Sequence, residues 1–197
     1  MAITEQPIIN VRGSKVALGP LCQKHLPQFW QWFNDLEVTC TYNPRWSPMS
    51  WENLENWYTR ATKNEKIFAF AVYELLEMKL IGCTMLLDVN PFHRIADLDI
   101  IIGEKSLWRQ GLGSEAVKLT LDYGFMILSL CNIMLTVYSF NKAGIRAYEK
   151  AGFREFGRRK KARRFGNRIC DLVYMECLEA DIEDPHLSRL FPEESKE

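Results

Sequence analysis

The sequence predicts a single mixed α+β domain, and three observations carry that expectation. The chain has 197 residues, the size of one domain with elaborations. It is 47% apolar and 25% charged, the balance of a globular chain able to bury a core. Its hydrophobic periods change along the chain from helical to strand-like and then alternate.

In order, Lys15–Leu18 (KVAL) reads as a short strand, and residues 21–35 as an amphipathic helix with Leu26, Phe29, Trp30 and Phe33 at helical spacing. Residues 41–50 read as a loop because of Pro44 and Pro48. Ser50 can cap a helix over 51–63 that presents Leu54, Trp57 and Tyr58 on one face. Strands follow at 67–74, 79–89 and 96–103, then a helix over 111–130, a strand over 133–139, and a helix over 141–150 stopped by Gly152. Two strands, about 153–161 and 168–178, join around Phe165-Gly166-Asn167. Residues 181–197 form an acidic, Pro-containing tail, expected to lie on the surface or fray.

Composition excludes several classes. Lys plus Arg and Asp plus Glu are both 25, so the chain is not a uniformly basic nucleic-acid binder. The six cysteines contain no C-x-x-C pair and the three histidines are far apart, so no metal site is expected. Four of the cysteines lie in or beside apolar runs and read instead as small buried hydrophobes in a reducing compartment, which with the lack of a signal-like N-terminus points to the cytoplasm. The uncharged run from Tyr123 to Asn141 is near the length of a membrane span. It switches from helical to β-forming residues at Cys131-Asn132, so it reads as a buried helix followed by a buried strand.

Two segments carry chemistry. Trp108-Arg109-Gln110-Gly111-Leu112-Gly113-Ser114 follows an apolar strand and opens a long helix. Free N–H groups at a helix start, with the helix dipole behind them, suit a phosphate or pyrophosphate, and Arg109 adds a positive charge. A lone G-x-G is weak evidence, and the segment is neither a Walker A loop nor a dinucleotide fingerprint. About thirty residues on, Ser139 to Phe153 reads S-F-N-K-A-G-I-R-A-Y-E-K-A-G-F. There Asn141 can cap a helix or bind a ligand amide, and Tyr148 can be a core aromatic or a proton donor.

Together these segments resemble the GNAT superfamily of acetyl-CoA-dependent N-acetyltransferases over about residues 10–180. They resemble in particular its ribosomal-protein N-terminal and spermidine acetyltransferase branch. The family's pyrophosphate motif is [RQ]-x-x-G-x-[GA], where this chain has Trp108 in place of Arg or Gln. The resemblance implies one mixed central sheet of about seven strands flanked by helices.

It also implies roles. Trp108, Arg109, Gln110, Gly111, Leu112, Gly113 and Ser114 would hold the pyrophosphate of acetyl-CoA, with Arg146 nearby. The pantetheine arm would run along Ile100–Gly103, where a bulge splays the strand from its neighbour. Asn141 would bind the arm, and a backbone N–H near Ile101 or Ile102 would polarise the thioester. Tyr148 would protonate the leaving sulfur. A base could be Asp97, which stands fourteen residues before Gly111, or Asp99, or thirdly Glu104.

Among the aromatics near the early helices, the loop residues Tyr42 and Trp46, with Arg45, are candidates for an acceptor pocket wall. The leading expectation is transfer of acetyl to a primary amine of a small molecule such as a polyamine or aminoglycoside. The alternative is a protein N-terminus, and a third reading is a non-catalytic acyl-CoA sensor. A homodimer is expected by analogy, without a membrane. Seven cations from Arg158 to Arg168, with no acid from Phe156 to Cys170, read as a solvated hairpin, a surface for an anionic partner, or a wall at the substrate entrance. They sit awkwardly with a polycationic acceptor.

Overall fold

The computed structural model describes residues 6–42, 47–182 and 185–190. An eight-stranded sheet forms the centre. Its strands are β1 (Val11–Arg12), β2 (Val16–Pro20), β3 (Phe68–Glu74), β4 (Lys79–Asn90), β5 (Ile95–Ile102), β6 (Asn132–Tyr138), β7 (Arg154–Phe165) and β8 (Arg168–Leu178). They lie in the order β1-β2-β3-β4-β5-β6-β8-β7. Every neighbouring pair is antiparallel except β5 and β6.

Five α-helices cover the sheet: α1 (Leu26–Asn34), α2 (Leu36–Tyr42), α3 (Trp51–Lys63), α4 (Leu112–Asp122) and α5 (Lys142–Ala151). Strand side chains alternate between faces, so each face has its own core. Ile101 and Cys83 pack with Phe29, Trp32, Leu54 and Trp57 of the early helices. Leu98, Ile133, Leu135 and Val173 pack with Val117, Leu121 and Tyr148 of α4 and α5. Phe29 and Leu54 are fully buried, and truncating such a residue to Ala costs about 2–5 kcal/mol.

Ser50 caps α3 as expected, accepting from the Asn53 N–H at 3.3 Å. Four parts of the chain depart from expectation. Strand β1 adds an eighth strand to the seven expected, and α2 fills residues left unassigned or placed in a loop. The predicted helix over 111–130 is α4 followed by a π-turn over Tyr123–Ile127. The described part of the tail is docked, not frayed: Leu187 is buried, and the His186 N–H donates to Asp122 Oδ2 at 2.6 Å. Cys83, Cys170 and Cys177 are buried and free. Among the described residues no helix is long and apolar enough to cross a membrane, and no side-chain cluster has the makings of a metal site.

Candidate active site

The loop before α4 turns through two left-handed residues, Arg109 (φ 63°) and Gly111 (φ 85°). Gly111 is the N-cap of α4, and a Cβ built on it would meet nothing within 4 Å, so the cradle is open at that point. A residue with a side chain would hold that left-handed turn only under strain. Leu112 is buried and anchors the helix start in the core. Side chains around the turn fix its shape. Trp108 Nε1 donates to the Ile102 carbonyl at 2.8 Å, and Gln110 Nε2 donates to the Ser106 carbonyl at 3.2 Å. Ser114 Oγ donates to the Ala147 carbonyl at 3.0 Å and ties α4 to α5. These three side chains position the cradle. The first-turn N–H groups and the Arg109 guanidinium are what it offers an anion. A groove of about 950 Å³ runs on from there past Lys118, Lys150 and Gly152.

Beside the cradle the sheet opens. Strand β5 pairs with β6 only from Ile95–Asn132 to Asp97–Met134. Beyond that rung β5 stays with β4 as far as Ile102–Gly82, and β6 stays with β8 as far as Tyr138–Leu172. The Gly103 N–H donates to the Ile81 carbonyl at 2.9 Å. Antiparallel pairs alternate, so the backbone of Ile101 also faces β4, while that of Leu98, Ile100 and Ile102 faces the opening. Of the two backbone donors expected, Ile101 is therefore engaged with β4, and Ile102 is the one whose N–H faces the opening. The irregularity expected in β5 lies in its partner: the register shifts in β4 between Leu87 and Asn90, where Asp88 takes φ 49°. Gly103 serves packing, because a Cβ there would come within 2.0 Å of the Trp32 ring.

Two chemical groups flank the opening from opposite faces. Tyr148, on α5, packs against Phe153 and the core beneath α4. Burial and the charge of Asp99 push its hydroxyl well above the ordinary tyrosine value. Among the described residues this hydroxyl has no hydrogen-bond partner. Asn141 caps α5 by accepting from the Gly144 N–H at 2.9 Å through Oδ1, which leaves its Nδ2 to donate. Arg146 is exposed.

Asp99 lies on the other face, with Ile101 and the early helices. Tyr42 donates to its Oδ2 at 2.5 Å. Burial raises the Asp99 carboxyl above the usual range, against the pull of Tyr42 and the Ile100 N–H. Asp97 stands at the last paired rung, raised by partial burial and by Asp88. Glu104 is different: Lys79 at 2.7 Å and Ser106 at 2.6 Å hold its carboxylate below its ordinary value. Arg45 and Trp46 lie outside the described residues.

Below the opening, on the Asp99 face, is a cavity of about 380 Å³ lined by Tyr42, Asp99, Thr136, Tyr138, Arg159, Arg163, Leu172 and Tyr174. Sequence reasoning found Tyr42 and Asp99. It saw Arg159 and Arg163 only within a run of cations.

A family model described as an acetyltransferase (GNAT) domain matches residues 15–154, the span holding both faces of the opening. The chain belongs to the GNAT acetyltransferase family. Within this GNAT chain, 72 residues are 39% identical to spermidine N(1)-acetyltransferase of Escherichia coli K12, covering 36% of the chain and 38% of that enzyme. A stretch of 108 residues is 33% identical to the Vibrio cholerae spermidine N(1)-acetyltransferase, covering 55% of the chain and 61% of the enzyme. These stretches thus span less than two thirds of either relative. The likeness in structure is longer. The crystal structure of Vibrio cholerae spermidine N-acetyltransferase in complex with CoA and spermine superposes with a TM-score of 0.78 at 26% identity, covering 86% of this GNAT chain and 98% of that one.

Proposed function

We propose that this chain transfers an acetyl group from acetyl-CoA to a primary amine of a small molecule, in a ternary complex without a covalent enzyme intermediate. The observation that carries this reading is the divergence of β5 from β6, with Tyr148 on one face and Asp99 on the other. The opening suits acetyl-CoA on chemical grounds. An extended diamide arm finds the edge of β5 beyond its last rung with β6, as an added strand would. Its pyrophosphate finds the start of α4, and the groove beyond has room for the nucleotide end. The Asn141 amide donates to the arm, and Arg146 lies exposed at the rim.

Acetyl-CoA supplies the activated acyl group; the chain supplies the proton movements. Asp99 accepts a proton from the incoming amine, and its raised pKa makes it a better base than an ordinary carboxylate. Asp97 is the second candidate, and Glu104, held by Lys79, is the third. The N–H of Ile102 stabilises the charge that develops on the thioester oxygen. Tyr148 stays protonated at neutral pH and donates to the departing sulfur.

The cavity is within the size range of small-molecule sites, which favours a small acceptor over a protein N-terminus. The spermidine acetyltransferase relatives make polyamines the first acceptors to assay. A homodimer in the cytoplasm is the proposed setting, by analogy. The deciding experiment is a thermal-shift titration with acetyl-CoA followed by a thiol-release assay with spermidine and other amines. Saturation at a hundred times Kd should stabilise the fold by about 2.7 kcal/mol. Binding without thiol release in any amine panel would leave a sensor; no binding would end the enzyme reading.

A further inference from the structure

The described residues lining the cavity on the Asp99 face carry two guanidiniums against one carboxylate. Arg159 and Arg163 both line it. They are four residues apart in β7, yet they pair with Leu172 and Cys170, only two apart in β8. An irregularity between them, where Lys161 takes φ 51° and donates its N–H to Asp171 Oδ1 at 2.8 Å, compresses the strand. At about 3.4 Å per residue, the two arginines are thereby brought from about 14 Å to about 7 Å of each other along the sheet. Leu172 lies opposite Arg159 and two residues from Cys170, so both arginines rise on the cavity face.

Neither arginine is neutralised. Two acids of this hairpin serve Arg158, which pairs with Glu155 at 2.8 Å and faces Asp171 at 3.9 Å, and the third, Glu176, pairs with Arg154 at 3.6 Å. Among the described residues Arg159 and Arg163 have no carboxylate partner; Arg163 donates to the Ala162 carbonyl at 3.1 Å and to the Tyr138 hydroxyl. Across the cavity Asp99, the one carboxylate among the described lining residues, is engaged by Tyr42. The cavity is therefore two-ended: a carboxylate beside the strand opening, and two guanidiniums with tyrosine hydroxyls from Tyr138 and Tyr174 at the far wall. Paired guanidiniums suit a carboxylate or phosphate, whose oxygens they can bridge.

Resting on the acetyl-transfer reading, we propose that the acceptor carries an anionic group, a carboxylate or a phosphate, in addition to its amine, and that Arg159 and Arg163 bind that group while the amine faces Asp99. The acceptor is then zwitterionic, and the arginines discriminate against bare polyamines through like-charge repulsion.

The test is a steady-state acetylation assay of the purified full chain with four probes: spermidine, lysine, lysine methyl ester and glucosamine 6-phosphate. Lysine and glucosamine 6-phosphate separate the carboxylate from the phosphate. Expected is a KM for at least one of these two about tenfold or more below that for spermidine. If lysine is the one, its methyl ester loses that advantage. Arg159→Gln and Arg163→Gln each raise the KM for the anionic acceptor about tenfold to a hundredfold. The same variants lower the KM for spermidine, an opposite sign that loss of folded protein cannot produce. Arg159→Lys, which keeps the charge without the fork, recovers part of the loss. Spermidine acetylated at the lowest KM, or arginine variants that change all acceptors alike, overturn the anionic-acceptor proposal and leave acetyl transfer standing. Acetyl-CoA binding with no acetylation of either anionic probe overturns it too. No binding of acetyl-CoA overturns acetyl transfer itself.

Discussion

The two sides of the β5–β6 opening are built from different materials. On the α4–α5 side, the groups proposed to meet the cofactor are mostly backbone: the N–H groups at the start of α4, the left-handed turn at Gly111, and the edge of β5 beyond Asp97. On the opposite side, the cavity proposed for the acceptor is lined by side chains from α2, β5, β6, β7 and β8. A backbone cradle depends on a few small residues and a helix start, and it can stay the same while acceptors change. A side-chain cavity changes its ligand with one substitution. Variants on the first side should therefore act on every acceptor equally, and variants on the second should act acceptor by acceptor.

The largest effect is expected where the two sides meet. Tyr148→Phe should lower kcat by about 10²–10⁴-fold with little change in acetyl-CoA affinity, read by thiol release and calorimetry. Unchanged turnover would remove Tyr148 from the proton path. Asp99→Asn should lower kcat/KM by about 10²-fold and abolish the acid limb of the pH profile. That limb arises because the base must be ionised: activity falls as pH drops through the Asp99 pKa, which burial places above the usual carboxylate value. A larger loss in Asp97→Asn would move the base to the last paired rung.

On the backbone side, Gly111→Val should weaken acetyl-CoA binding about tenfold or more. The left-handed turn costs a residue with a Cβ about 1–2 kcal/mol, and the new side chain would stand in the open cradle. Equal weakening for every acceptor would support the contrast; an acceptor-dependent effect would break it. A smaller change tests the side-chain face. Tyr42→Phe removes a hydrogen bond that favours ionised Asp99, so the acid limb should move to higher pH while plateau activity holds.

The smallest effect belongs to neither side. His25 is buried, its Nδ1 accepts from the Cys22 N–H at 3.1 Å, and burial lowers its pKa to about 4. The unfolded chain binds that proton first, so stability should fall as pH drops from about 6.5 toward 4, by about 1.4 kcal/mol per unit at most. Chemical denaturation at pH 7 and pH 5 measures it, and His25→Asn should flatten the difference.

The same contrast explains what the sequence revealed. Gly111, Gly113 and the strand before them are local signals, so the cradle was legible, as were Asn141 as a helix cap and the shared face of Asp97 and Asp99. Helix α2 was not, because Leu36–Tyr42 is rich in β-branched residues and holds its shape through tertiary contacts, with Val38 buried and Tyr42 stacked on Phe33. The backbone donors could not be assigned between Ile101 and Ile102 without the pairing to β4. Seven cations were visible in the chain, but only the irregularity in β7 selects Arg159 and Arg163 from among them. The ion pair that sets Glu104 aside joins it to Lys79, twenty-five residues away, which no local pattern announces.

The indole of Trp108, bonded to the Ile102 carbonyl, spans the cradle and the strand edge and is partly open to solvent. The fluorophore therefore stands where the cofactor's two halves would meet. Its emission should shift as that carbonyl's surroundings dry, so cofactor arrival can be followed in real time as the part of the intrinsic fluorescence change that Trp108→Phe removes while the other five tryptophans remain.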